Sequence, residues 1–144
     1  MKARKLVAAV LLVLTFASAC SSPPDLPDRA DPQVKAEEAR VAKVLGADRS
    51  INDEPSVCKV RLLGQQRGAS FVWALCTAIG PIGRPAIEHA ESSVPLRVDG
   101  SKVTQGGDGI GSSCPGLYKI FPKDLADLVC EDRYNGDELF SAKS

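Results

Sequence analysis

The chain has 144 residues, with 18 Lys+Arg matched by 18 Asp+Glu, one histidine and five cysteines. That length suits one domain, large enough for a real core and still helped by disulfides. The balanced charge gives no electrostatic footprint for nucleic acid.

The first 19 residues carry Lys2, Arg4 and Lys5, then an unbroken apolar run from Leu6 to Leu14, and close on Ala17-Ser18-Ala19 before Cys20. Cations, a short apolar core and small residues at the cut are the pattern of an export signal. The core falls short of the roughly 20 apolar residues a permanent membrane helix needs, and no later stretch approaches that length. Two processing outcomes fit. Ala17-Ser18-Ala19 satisfies the small-x-small rule, which would release a soluble protein. The same residues followed by Cys20 resemble a lipobox, with Ala17 where Leu is usual; there the thiol is diacylated and becomes the new N-terminus. Five cysteines are odd, and setting Cys20 aside leaves an even four for the exported domain, which favours the lipid. Each buried methylene contributes about 0.8 kcal/mol, so several acyl chains hold where one would exchange. The expected address is the extracytoplasmic face of a cell membrane, reached through lipid on Cys20. Removing Met1 to Ala19 takes away three cations and no acids, leaving 15 Lys+Arg against 18 Asp+Glu, a net charge of −3.

Residues 20–32 form the lipidated cysteine and a tether. Pro23, Pro24, Pro27 and Pro32 among polar neighbours favour an extended spacer without a core. At about 3.1 Å per residue, it would keep the domain within roughly 40 Å of the lipid.

A single α+β domain is expected over residues 33–144, running from an N-terminal helix through a small antiparallel sheet of hairpins to a C-terminal helix, with two disulfides. Asp31 should cap the first helix, with Pro32 at its first position and Gly46 as its stop. Val34, Val41, Val44 and Leu45 share a face, while Lys35, Glu38, Arg40 and Lys43 read as solvated charges. A hairpin follows, Val57–Leu63 with Phe71–Ile79. Cys58, Val60 and Leu62 alternate with Lys59 and Arg61, as in a half-buried strand. The second strand is nearly all apolar and should lie centrally in the sheet. A three-residue loop, Gln66-Arg67-Gly68, with Gly68 left-handed, places Val60 opposite Ala74 and Cys58 opposite Cys76. In that register the cysteines occupy a non-hydrogen-bonded pair, where side chains approach most closely. Cys114 and Cys130 would then form the second bridge, although four cysteines allow three connectivities. Phe71, Trp73 and Leu75 share the other face and read as core beneath a helix. Arg61 faces Trp73 in a cation–π geometry.

The second hairpin is expected at Val94–Val98, an Asp99-Gly100 turn, and Ser101–Thr104, with Pro95 marking an edge strand. A Gly-rich segment, Gly106 to Ser113, follows as a loop pinned at Cys114. The last helix should start near Pro122, with Phe121, Leu125, Leu128 and Val129 on one face, and Cys130 should staple it to that loop.

Little in this set carries chemistry. His89 with Ser92, Ser93, Ser112 or Ser113 and with Asp99 or Asp108 would supply the residue types of a hydrolase, but no Gly-x-Ser-x-Gly elbow is present. An exported thiol with a partner is normally oxidised, which argues against a cysteine protease. The domain cysteines stand 18, 38 and 16 residues apart, with no Cys-x-x-Cys and no paired histidines, so no metal site is expected. Asp124 and Asp127 make no calcium-loop pattern. The Gly-rich loop lacks the Gly-Lys-Ser/Thr ending of a phosphate loop, and no cofactor is expected. Flexible glycine loops also serve as binding lips, so Gly107, Asp108, Gly109, Ser112 and Ser113 are the candidate binding loop.

Val72-Trp73-Ala74-Leu75-Cys76, Val94-Pro95-Leu96-Arg97-Val98-Asp99-Gly100 and Ile120-Phe121-Pro122 resemble the short exported proteins and lipoproteins of high-GC Gram-positive bacteria. The likeness covers the middle and end of the domain. It implies an address outside the cytoplasm and no particular chemistry. The expected function is a non-enzymatic, membrane-tethered binding or accessory module with an extracellular protein partner. The alternative is a disulfide-stabilised inhibitor of an extracellular protease, with Gly111–Gly116 beside Cys114 as its contact loop.

Overall fold

The computed structural model describes residues 25–51, 55–79, 91–106 and 114–130, together with Phe140. Residues 1–24 and the candidate binding loop at 107–113 lie outside them. The elements run α1 (Pro32–Ala47), β1 (Ser56–Gln66), β2 (Ala69–Ala78), β3 (Glu91–Asp99), β4 (Lys102–Gln105), α2 (Cys114–Ile120) and α3 (Lys123–Cys130). This is the α+β arrangement expected, built on an antiparallel sheet in the order β1-β2-β3-β4.

α1 begins as its sequence dictates. The Asp31 side chain accepts from the Gln33 amide at 2.7 Å, and Pro32, which has no amide hydrogen to satisfy, follows it. The helix does not stop at Gly46; it continues to Ala47, with Asp48 as the C-cap. Gly46 serves proximity instead: a Cβ there would lie 2.7 Å from the Ser56 carbonyl oxygen, so the glycine lets the end of α1 lie against the start of β1. Val34, Val41 and Leu45 are buried as expected, and Glu38 is buried among them, not solvated.

The first hairpin reaches the expected register by another route. Cys58 pairs with Cys76, Val60 with Ala74 and Leu62 with Val72, but the turn is the two-residue Arg67-Gly68, with Ala69 opposite Gln66. Both turn residues have positive φ, 52° and 81°, the signature of a type I′ turn, whose twist matches that of the strands. A two-residue turn alone would shift every pair by one. A bulge between Leu62 and Gly64 adds the residue that restores the register. Leu62 and Leu63 enter different cores by ordinary strand alternation, and the bulge brings Leu63 and Gly64 to the same side, facing the second core. Gly64 lies beneath α3, where a Cβ would sit 2.9 Å from Leu125.

The second hairpin turns one residue later than expected. Asp99 pairs with Lys102, leaving Gly100-Ser101 as the turn, with Gly100 at φ 61° in the first central position that a type II′ turn reserves for glycine. Asp99 is held in the strand by Arg97, whose Nε donates to it at 2.9 Å. β2 lies centrally, as its apolar run requires. β3 is internal only in part: β4 pairs with it from Leu96 onward, so Pro95 sits just past the end of that pairing, where its missing amide hydrogen breaks no ladder bond.

The sheet separates two cores. On one side Val34, Val41 and Leu45 of α1 cover Val60, Leu62, Val72, Ala74, Cys76, Val94, Leu96 and Val98. On the other, Phe71, Leu63 and Ala69 meet Leu117, Phe121, Leu125, Ala126 and Val129. Phe71 and Phe121 make an edge-on ring contact at 5.2 Å. Each leucine or phenylalanine buried in this way contributes about 1.5–3 kcal/mol. Trp73 is half-buried against the second core, and Leu75 is half-buried without belonging to either core. The C-terminal part holds one helix more than expected. Cys114 is the first residue of α2, not a loop residue, and its disulfide to Cys130 at the end of α3 joins two helices.

Candidate functional site

Both expected disulfides are formed, Cys58–Cys76 across adjacent strands and Cys114–Cys130 between helix ends. The 4.0 Å between the Cα atoms of Cys58 and Cys76 is the short spacing of a non-hydrogen-bonded pair. An independent bond agrees: the Leu62 amide, four residues along the same strand and thus in the same alternation class, points away from β2 and donates to Glu38 Oε1 at 2.9 Å.

The remaining sequence candidates are not brought together. Cys20, His89, Asp108 and the loop residues Gly107, Gly109, Ser112 and Ser113 lie outside the described residues. Ser92 and Ser93 are on β3, where the Ser93 hydroxyl accepts the Trp73 indole N–H at 2.9 Å. Asp99 is ion-paired with Arg97, whose hydrogen bonds hold the aspartate carboxyl below its ordinary range. Asp127 receives the Tyr118 hydroxyl at 2.5 Å and the Lys123 ammonium at 2.6 Å, an exposed cluster bridging α2 and α3. That bond raises the Lys123 pKa. The contact loop imagined for a protease inhibitor, Gly111–Gly116, is helical from Cys114 onward. Among the described residues no group of three or more His, Cys, Asp or Glu is placed to hold a metal ion. No described helix is long and apolar enough to cross a membrane.

Two polar constellations emerge instead, both centred on α1. In the first, Glu37 accepts the Ser70 hydroxyl at 2.5 Å and two Arg40 bonds at 2.6 and 2.8 Å, while Arg40 also donates to the Gly100 carbonyl at 2.8 Å. The Arg40 hydrogen bonds pull the Glu37 carboxyl below its ordinary value of 4.5, against partial desolvation and with help from Ser70. A serine donating to a carboxylate has the outline of a nucleophile and its base. Ser70 is 1% exposed, though, and the Glu37 carboxylate is also committed to Arg40. The cluster pins α1 to both hairpin turns.

The second constellation lies at the outer edge of β1. Glu38 Oε1 takes the Leu62 amide and faces Arg61 at 3.4 Å, while Arg29 approaches the other carboxylate oxygen at 3.6 Å. Arg61 Nη2 donates to the Pro27 carbonyl at 2.7 Å. Arg61 lies opposite Trp73, as expected, but its guanidinium is directed to Glu38 and Pro27; the cation–π contact found is Arg97 over Phe71, at 5.9 Å. Nearby, Leu26 packs against the second core. The end of the expected spacer thus lies on the domain. The signal for Glu38 was present in the sequence: 34, 38, 41 and 45 are the spacing of one helical stripe, and a carboxylate on that stripe calls for a buried cation.

Comparison of the chain with protein-family models, curated proteins and solved structures gave no match.

Proposed function

We propose that the protein is a lipoprotein, anchored outside the cytoplasm through Cys20, whose domain acts as a non-enzymatic binding or accessory module. The observation that carries this reading is the pairing of the cysteines: four of five are bridged inside the domain, and the one left over follows an export signal at a lipobox-like cut. Disulfides on this scale fit an oxidising compartment. Among the described residues, Glu37, Glu38, Ser70 and Arg61 are engaged in holding α1, the turns and the β1 edge together.

Intact mass spectrometry of the membrane-extracted protein tests the anchor. Acyl mass on an N-terminal Cys20 is expected, with a gain of four hydrogens in the domain on reduction. A mature chain with a free Cys20 thiol would overturn it. In-cell cross-linking of the anchored protein, with a Cys20→Ser form as control, is expected to capture a partner that depends on the membrane.

A further inference from the structure

The Pro-rich segment after Cys20 would be a spacer of twelve Cα steps if it were free as far as Pro32. It is not free over that length. Leu26 is half-buried against the second core, and the Pro27 carbonyl takes a hydrogen bond from the largely buried Arg61 guanidinium at 2.7 Å. Arg29 reaches the Glu38 carboxylate at 3.6 Å. The Asp28 carboxylate accepts the Ala30 amide at 2.8 Å, and the Asp31 amide donates to the Asp28 carbonyl at 3.1 Å, closing a turn that delivers the chain to its helix cap. Contacts from three residues, to the second core, to β1 and to α1, hold this stretch before the helix begins.

We infer that segment 25–31 is a docked strap that sets how far the domain stands from the bilayer. With Leu26 fixed, only six Cα steps separate it from Cys20, a reach of at most about 22 Å; released up to Pro32, the same chain would reach about 43 Å. Docking therefore halves the reach and adds a preferred orientation, because the chain leaves the domain beside Arg61 on β1. The anchored module works in the layer next to the membrane, and a partner must present itself there. The strap's release would double the radius the domain can search. This consequence rests on the lipid anchor at Cys20, whereas the docking itself does not.

Two measurements separate these. In the exported Cys20→Ser chain, without lipid, trypsin should cut after Arg29 slowly. Leu26→Asp, which removes the apolar contact of the strap alone, should speed that cut by about threefold or more, the factor corresponding to loss of a partly buried leucine's contact. In lipidated protein reconstituted into phosphatidylcholine vesicles with dansyl-labelled headgroups, energy transfer from Trp73, the sole tryptophan, reports height above the bilayer. Leu26→Asp should lower that transfer by about twofold or more, as should six Gly/Ser residues inserted between Ser22 and Pro23, since each roughly doubles the reach. Wild-type cleavage and wild-type transfer in Leu26→Asp, with the insertion effective, would overturn the strap. Failure of the lipidated protein to float with vesicles would instead overturn the anchor and the height-setting role, and the tryptic result would still decide the docking.

Discussion

Glu38→Ala would expose how the outer edge of β1 is held. The substitution removes the carboxylate facing Arg61 at 3.4 Å and the acceptor of the Leu62 amide at 2.9 Å, at a position 9% exposed. Removing one member of a buried ion pair costs about 3–5 kcal/mol, because the partner stays desolvated. Arg61 keeps its bond to the Pro27 carbonyl, which moves the expectation to the lower end, while the orphaned Leu62 amide adds a cost of about 1–3 kcal/mol. The expected loss is therefore about 4–6 kcal/mol, a large share of the 5–15 kcal/mol typical of a domain. Replacing both partners, Glu38→Leu with Arg61→Leu, should cost less than either change alone, since no uncompensated charge remains. Urea unfolding of the oxidised protein, followed by Trp73 emission, measures each variant. A Glu38→Ala protein within about 1 kcal/mol of the parent would refute the reasoning, as would a double variant less stable than the singles.

Gly64→Ala should lose about 1–3 kcal/mol in the same unfolding assay, because its new methyl would lie 2.9 Å from the Cδ1 of Leu125, a side chain buried in the second core. The Glu37 carboxyl is held below its ordinary 4.5 in the folded protein, so its contribution to stability is present above that value and fades as pH falls through the lowered one. Glu37→Gln should accordingly be less stable than the parent at neutral pH, the gap closing only below about pH 4.5; a pH-independent gap would contradict the Arg40 bond as its cause.

The cysteine pairing was legible because strand alternation and an odd cysteine are both sequence properties, and a glycine near the turn limited the hairpin. The register was right for an incomplete reason. A three-residue loop and a two-residue turn with a bulge place Cys58 opposite Cys76 alike, and nothing local to Leu63 announces the bulge; it is set by the need of α3 for both Leu63 and the space above Gly64. α2 was missed because Pro115 and Gly116 beside a glycine run read as loop, and two helical turns are stabilised mainly by what Leu117 meets in the second core. Gly46 looked like a helix stop because its real reason, the Ser56 carbonyl, lies ten residues away and across an element boundary. Glu38 shows a different failure. Its place on the stripe was visible, but charges on a surface helix are solvated so often that one buried in the seam went unread.

Pro95 has a consequence for how these molecules tolerate one another. An open strand edge invites another chain to extend the sheet, and a lipid anchor would crowd many copies into a thin layer where such encounters are frequent. Here the Glu38 carboxylate takes one outward amide of β1, that of Leu62, β4 is only four residues long, and the stretch of β3 beyond it meets a proline that cannot donate to a ladder. The borders of the sheet are thus blunted by three different means, each of which disfavours the addition of a neighbouring strand at its own place on the edge.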